Sequence, residues 1–415
     1  MRSAVRSFPV ALGLIVLGAV SLRVLHTLFV APETGGLSDS FWYAVAAQNI
    51  SLGNGIVAAV GAPEIHLVTS AQHPPAYPVV LAGAIKLGID GDTGWRLLGA
   101  LFGGLTVLAI GMLGRRAGGP AVGLVAAAIA AVYPLMIAVD GALLAETLYG
   151  PIVAFTLVVA WDLGERPSVW RAALVGVGIA LATLTRSEAL LLLPLLALPL
   201  AWRGPGGRVR WLRLGATVAA TAVVLAPWVI RNWSVFDRPL LSTNDGALLA
   251  WTNCDQTYHG RFLGYLVPEC APVVTGDEAE QASKLSDHGL DYARDHAGRL
   301  PVVMAARVLG TWSFYDPFRF PDPGRSETVL RIGIFFYYAL VPLAVVGVVA
   351  LRRRGRPLWV LLAPILVVCL VAMATYTSLR LRYLAEIPFV VLAAAGAVAL
   401  YARVRGRSGL AELQR

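Results

Sequence analysis

The residues of this chain that could do chemistry are few, and most stand at the ends of long apolar runs. Asp39 follows the first run, within residues 38–49, SDSFWYAVAAQN. Ser38 is a good helix N-cap, which places Asp39 in a first turn where the helix dipole favours an ionised carboxylate. Tyr43, four residues on, shares its face. Trp42, Val45 and Ile50 are expected to lie against a membrane surface. Such a carboxylate could act as a general base at a water–lipid boundary, or do no more than cap an interfacial helix; these residues alone favour capping. Other charged residues recur at the ends of later runs: His73, Asp140 with Glu146, Arg186 with Glu188, Arg231, and Arg380 with Arg382.

The elements that must position them are read from composition. Of 415 residues, 57% are hydrophobic and only 14% charged, against about 25% charged in a soluble domain. Mean hydropathy is +0.68. The apolar residues fall in runs of roughly twenty, the length of a bilayer span. The expected class is an all-α polytopic membrane protein. The net charge of +9 comes almost wholly from arginine, Lys86 and Lys284 being the only lysines. The arginines lie between apolar runs, so membrane orientation and lipid phosphates explain them better than nucleic acid does, and no P-loop is present. The first apolar run is too long for a cleaved signal peptide and reads as a retained helix.

About ten transmembrane helices are expected, near residues 8–30, 95–114, 119–139, 143–162, 170–186, 188–202, 211–231, 329–351, 357–377 and 384–402. With that count six arginine groups fall on one side: Arg2 and Arg6; Arg115 and Arg116; Arg166 and Arg171; Arg203 to Arg213; Arg352 to Arg356; and Arg403, Arg405 and Arg407. That side is cytoplasmic by the positive-inside rule, so both termini are expected inside a plasma (inner) membrane. Three regions follow: residues 1–231, about seven spans with a first outer loop at 31–94; residues 232–328, an extracytoplasmic loop region; and residues 329–415, about three spans and a tail. The stretch HPPAYPVVLAGAIKLG is expected as an interfacial or re-entrant helix, because three prolines oppose an ordinary span. LPVVMAARVLGTWSFY is expected outside, lying on the membrane, with Trp312, Phe314, Tyr315, Phe318 and Phe320 as an aromatic belt. Cys254 and Cys270 share the second outer loop and are a disulfide candidate, against two free thiols or a metal pair with His259. Cys369 lies in a span, as a small apolar filler.

On this topology Asp39, His73, Glu146, Arg186, Arg231, Arg380 and Arg382 all face outward. Any one of the arginines could be an interhelical ion pair or a snorkelling side chain. As a set they run against the positive-inside bias, and a lipid-linked phosphate would hold them, since guanidinium forks match phosphate oxygens. A site outside has no nucleotide pool, so an activated sugar would arrive on a lipid. Transfer from a polyprenyl-phosphate sugar needs one general base and no protonating acid, because phosphate is already a good leaving group. One carboxylate among several cations is that inventory.

The motifs SDSFWYAVAAQNISLGNG, HPPAYPVVLAGAIKLG, LLAETLYGP, LTRSEALLLLP, APWVIRNWSVFDRPLLSTNDG and RLRYLAEIPFVVL occur in an order that resembles the C-type (GT-C) membrane glycosyltransferases. The similar branch holds protein O-mannosyltransferases and lipid A aminoarabinose transferases. The resemblance implies Asp39 as the catalytic acid of the first outer loop. It implies Glu146 as a second acid that positions acceptor or metal, and His73 near the donor phosphate, where relatives often have lysine. Ser40 follows Asp39 where relatives carry a second acid, which leaves a divalent metal open but unsupported by these residues, and no other cofactor is expected. The expected activity is inverting transfer of a hexosyl or pentosyl group from a polyprenyl-phosphate donor to an extracytoplasmic glycan, lipid or protein. Asp39 would be the base, and Arg186, Arg231, Arg380 and Arg382 the donor-phosphate contacts. The competing class, a transporter or lipid flippase, expects charges at mid-membrane and repeated halves.

Overall fold

The computed structural model describes residues 2–31, 39–60, 66–204, 206–319 and 326–406. Ser38, Phe320 and Arg407, and the side chains of Arg2 and Arg6, lie outside the described residues. Helix α1 (Arg2–Phe29) leads into α2 (Asp39–Leu52), an antiparallel hairpin of β1 (Val57–Val60) and β2 (His66–Thr69), and α3 (Ala76–Lys86). Then come α4 (Gly91–Gly118), α5 (Pro120–Val132), α6 (Pro134–Asp140), α7 (Glu146–Glu165) and α8 (Val169–Thr183). Residues 187–202 form a continuous but irregular helical run ending in α9 (Leu198–Trp202), and α10 (Arg208–Phe236) follows. The segment after α10 holds α11 (Asn244–Thr252), α12 (Asp255–Tyr258), α13 (Glu278–Asp295) and α14 (Leu300–Thr311). The chain closes with α15 (Glu327–Arg353), α16 (Trp359–Ala374) and α17 (Leu379–Val404).

This is a helix-rich polytopic membrane protein. Among the described residues six helices qualify as spans by length and composition, α1, α4, α7, α10, α15 and α17, and α5 with α6 makes a seventh if a bent pair is one span. The 61° bend has a local cause. Tyr133 precedes Pro134, whose ring pushes it to an extended φ/ψ of −71° and 112°. Helix α8, the run at 187–202 and α16 are shorter apolar helices. Pro194 and Pro199 fall inside the run at 187–202, which passes from a 3-10 turn through a π-turn before α9.

The bundle is layered about α17. In its apolar window 83% of residues are buried, against 22% for α1 and 28% for α10, which present apolar faces outward. Helix α15 lies directly against α17 because Gly347 and Gly396 face each other's helix; a Cβ on either would enter the opposite backbone.

At one end of the bundle the segment between α2 and α3 and the segment after α10 are tied together. Ser242 donates to the Gln72 carbonyl at 2.7 Å, and the Thr243 amide donates to the Ala71 carbonyl at 3.0 Å. Glu278 accepts from Ser70 Oγ, the Ala71 amide and Thr243 Oγ1. Trp42, expected on the membrane surface, is instead buried: it packs edge-on against Tyr43 and His73, with ring centroids 5.5 and 4.9 Å away. An amphipathic indole can cover polar neighbours in the interior as well as lipid head groups. Phe314 and Phe318 are exposed, while Trp312 donates its ring N–H to Cys369 Sγ at 3.3 Å. Cys254 and Cys270 are bonded, with Cα atoms 6.1 Å apart.

Candidate active site

A cavity of about 370 Å³ opens between the bundle and the segments that connect its helices at one end. Asp39, Tyr43, His73, Arg186, Glu188, Asp245, Tyr376 and Arg380 are among the residues that line it. All but Tyr43, which lies one turn into α2, come from a helix end or a connecting turn, where side chains escape the apolar packing of the spans.

Asp39 is the first residue of α2, held there by Ser40, whose hydroxyl donates to the Ala142 carbonyl at 3.2 Å. Its Oδ2 accepts from Arg380 Nη1 at 2.5 Å, and its Oδ1 lies 3.6 Å from His73 Nε2. Burial by itself would raise the Asp39 pKa, but the charge of Arg380, His73 and the Arg380 hydrogen bond outweigh it and hold the carboxyl well below the usual range. Burial has the opposite outcome at His73: together with the nearby arginines it overcomes the pull of Asp39 and depresses the imidazole. The His73 ring is wedged between Trp42 and Tyr43, and its Nε2 finds no hydrogen-bond partner among the described residues.

Glu146 opens α7 after a tight turn in which Leu143 takes a φ of 49°, a strained value for a leucine. Its carboxylate is wholly buried. Oε1 accepts from Arg186 Nη1 at 2.6 Å and from Arg380 Nε at 2.5 Å, and Oε2 accepts from Arg380 Nη2 at 3.3 Å. Arg186 also reaches Glu188 at 2.5 Å. Glu146 thus stands behind the cavity wall as the shared anchor of two guanidinium groups. Its oxygens point at arginines, and it is not among the residues that line the cavity.

The structure brings Asp39, His73, Glu146, Arg186 and Arg380 together; it places Arg231 and Arg382 elsewhere. Arg382 is fully buried, donating to Glu386 at 2.6 Å and to Ser313 at 2.9 Å, with its guanidinium 3.9 Å from the Tyr337 ring centroid. Two residues along a helix turn a side chain by about 200°, so Arg380 and Arg382 cannot face one cavity. Arg231 donates to the carbonyls of Ser70 at 2.9 Å and Ile56 at 3.2 Å, clamping the hairpin, and stacks over Trp228. Asp140 is internal as well, paired with Arg23 at 2.6 Å. Asp245 and Tyr376 were not singled out in the sequence; the only sign of Asp245 was its place in the STNDG motif. Among the described residues no three His, Cys, Asp or Glu side chains are grouped to hold a metal ion.

Residues 72–231 match the family model described as dolichyl-phosphate-mannose-protein mannosyltransferase. Among solved structures, the Archaeoglobus fulgidus oligosaccharyltransferase tethered to an acceptor peptide aligns with a TM-score of 0.57 at 15% identity, covering 98% of this chain and 52% of that one. At 15% identity this likeness is one of fold. The archaeal enzyme in complex with an inhibitory peptide and a dolichol-phosphate aligns with a TM-score of 0.50 at 14% identity, over 98% of this chain and 53% of that one. ArnT from Cupriavidus metallidurans, bound to undecaprenyl phosphate, aligns with a TM-score of 0.40 at 15% identity, over 93% and 77%. The chain spans about half the length of the oligosaccharyltransferase. No curated protein matches it in sequence.

Proposed function

We propose that this protein is a membrane glycosyltransferase that moves a hexosyl or pentosyl group from a polyprenyl-phosphate donor to an extracytoplasmic acceptor, with inversion. The observation that carries the reading is the cavity itself: a carboxylate at a helix N-terminus, an imidazole and two guanidinium groups meet in one opening at an end of the bundle. Added support comes from the match of residues 72–231 to the mannosyltransferase family and from the dolichol-phosphate and acceptor peptides in complexes of the archaeal enzyme. In this reading residues 1–231 and 329–415 form the membrane part, residues 232–328 lie outside, and both termini are cytoplasmic.

The chemistry needs a base near the anomeric carbon and positive charge near the leaving oxygen. The acceptor oxygen bonds to the anomeric carbon while its proton passes to Asp39. The bond from that carbon to the phosphate oxygen breaks, and its electron pair leaves on the phosphate, where Arg380 and Arg186 lower its energy. His73 can donate to or accept from the phosphate or acceptor through its unpartnered Nε2. Glu146 holds both arginines in place.

The test is sugar transfer in membranes carrying Asp39→Asn. An amide keeps the size of the side chain but cannot take the proton. Transfer should fall by about 10²–10⁴-fold, while the protein still folds and still binds polyprenyl phosphate. Transfer at the wild-type rate would remove Asp39 as base.

A further inference from the structure

Each nitrogen of Arg380 already makes one hydrogen bond, Nε and Nη2 to Glu146 and Nη1 to Asp39, leaving a second N–H on each of Nη1 and Nη2. A phosphate entering the cavity meets this guanidinium already neutralised by two carboxylates, and it gains the full charge only by displacing one of them. Glu146 is wholly buried and held a second time by Arg186, whereas the Asp39 side chain is 31% exposed and faces the cavity. Asp39 is therefore the partner that gives way.

We propose that the Asp39–Arg380 contact is a latch that the donor phosphate opens, so that Asp39 becomes an effective base only after the lipid donor has bound. This deepens the glycosyltransferase reading above and rests on it. A carboxylate bonded to a guanidinium is stabilised in its charged form and is a weak proton acceptor; a general base works best when its pKa is near the working pH. The depressed pKa of Asp39 agrees with that condition. When Arg380 Nη1 turns to a phosphate oxygen, Asp39 loses its cation and gains an anion as neighbour, and both changes raise its basicity. The same guanidinium then stands at the oxygen that receives the electron pair of the breaking bond, while the acceptor proton goes to Asp39. One exchange arms the base and delivers the cation to the leaving group. It also sets an order, donor before acceptor, in which Asp39 stays a weak base until there is a sugar to transfer.

The latch makes a prediction opposite to that for an ordinary binding residue. The purified full chain in detergent is titrated with polyprenyl monophosphate lacking a sugar, as wild type, Asp39→Asn and Asp245→Asn. Asp39→Asn removes the competitor for Arg380 and should bind the lipid phosphate about tenfold more tightly, a gain of about 1.4 kcal/mol. Asp245 lines the same cavity but bonds no arginine among the described residues. Its amide variant removes one charge without freeing a guanidinium and should change affinity by no more than about threefold. Thermal unfolding of each variant checks that it is folded, and Asp39→Ala stands in if the amide variant is not. Equal or weaker binding by the Asp39 variant overturns the latch. So does equal tightening by both variants, which would be a simple effect of net charge. If the wild type and both variants all fail to bind polyprenyl monophosphate, the glycosyltransferase reading itself falls.

Discussion

Glu146→Gln is the perturbation whose size follows most directly from the geometry. Glu146 has no exposure to water, and its two oxygens accept three hydrogen bonds from Arg186 and Arg380 at 2.5–3.3 Å. The amide keeps one accepting oxygen but turns an N–H donor toward a guanidinium that can only donate. Two buried cations lose their common counter-charge, and Arg380 is left with Asp39 alone. Removing one partner of a buried ion pair costs about 3–5 kcal/mol. Because Arg186 retains Glu188 and Arg380 retains Asp39, the lower end, about 3 kcal/mol, is expected. Function should suffer separately. With Glu146 neutral, Arg380 is drawn more firmly to Asp39, so the donor must compete harder and its KM should rise. The assays are unfolding of the purified protein followed by tryptophan fluorescence, and transfer measured across a donor titration. A variant that matches wild type in both stability and donor KM would refute the view that Glu146 organises the arginines. It would return Glu146 to the role of an acceptor contact.

Arg382→Ala should cost stability, by about 3 kcal/mol or more, because Glu386 is left buried without its partner; donor affinity should stay at the wild-type value, and a weakened donor affinity in a folded variant would put Arg382 back at the site. Cys254→Ser with Cys270→Ser should lower stability by roughly 3 kcal/mol in the chain-entropy model; rapid alkylation of both cysteines in unreduced, denatured wild type would contradict the bond. A pH series follows from Asp39. Its folded pKa lies below the unfolded one, so its pairing contributes stability fully above the unfolded value of about 4 and loses it only as pH falls through the lower folded value. The difference in stability between wild type and Asp39→Asn should therefore be flat from pH 8 to about 5 and shrink in more acid solution. A difference that instead shrinks between pH 8 and 6 would mean that another group titrates there.

Much of the molecule is legible in the chain because membrane insertion is decided locally. A run of apolar residues announces a helix wherever it lies, and each of the ten expected segments coincides with helix, including the proline-bent pair at residues 120–140 and the irregular run at 187–202. Asp39 at the start of α2, Glu146 at the start of α7 and Arg186 beside a tight turn could be read as outlying charges for the same reason. Partnership could not be read this way. Asp39 and Arg380 are 341 residues apart, and nothing local links them. Arg380 and Arg382 have the same charge and almost the same position, and helix geometry says only that they point apart. Which of them meets the cavity depends on how α17 is rotated against α15, and close packing at Gly347 and Gly396 sets that rotation. Trp42 carries the same lesson, since an indole at a helix start suits lipid or interior equally until its neighbours are known. Hydropathy is summed along the chain, whereas the choice of counter-ion is made across it, by the rotation and packing of helices distant in sequence.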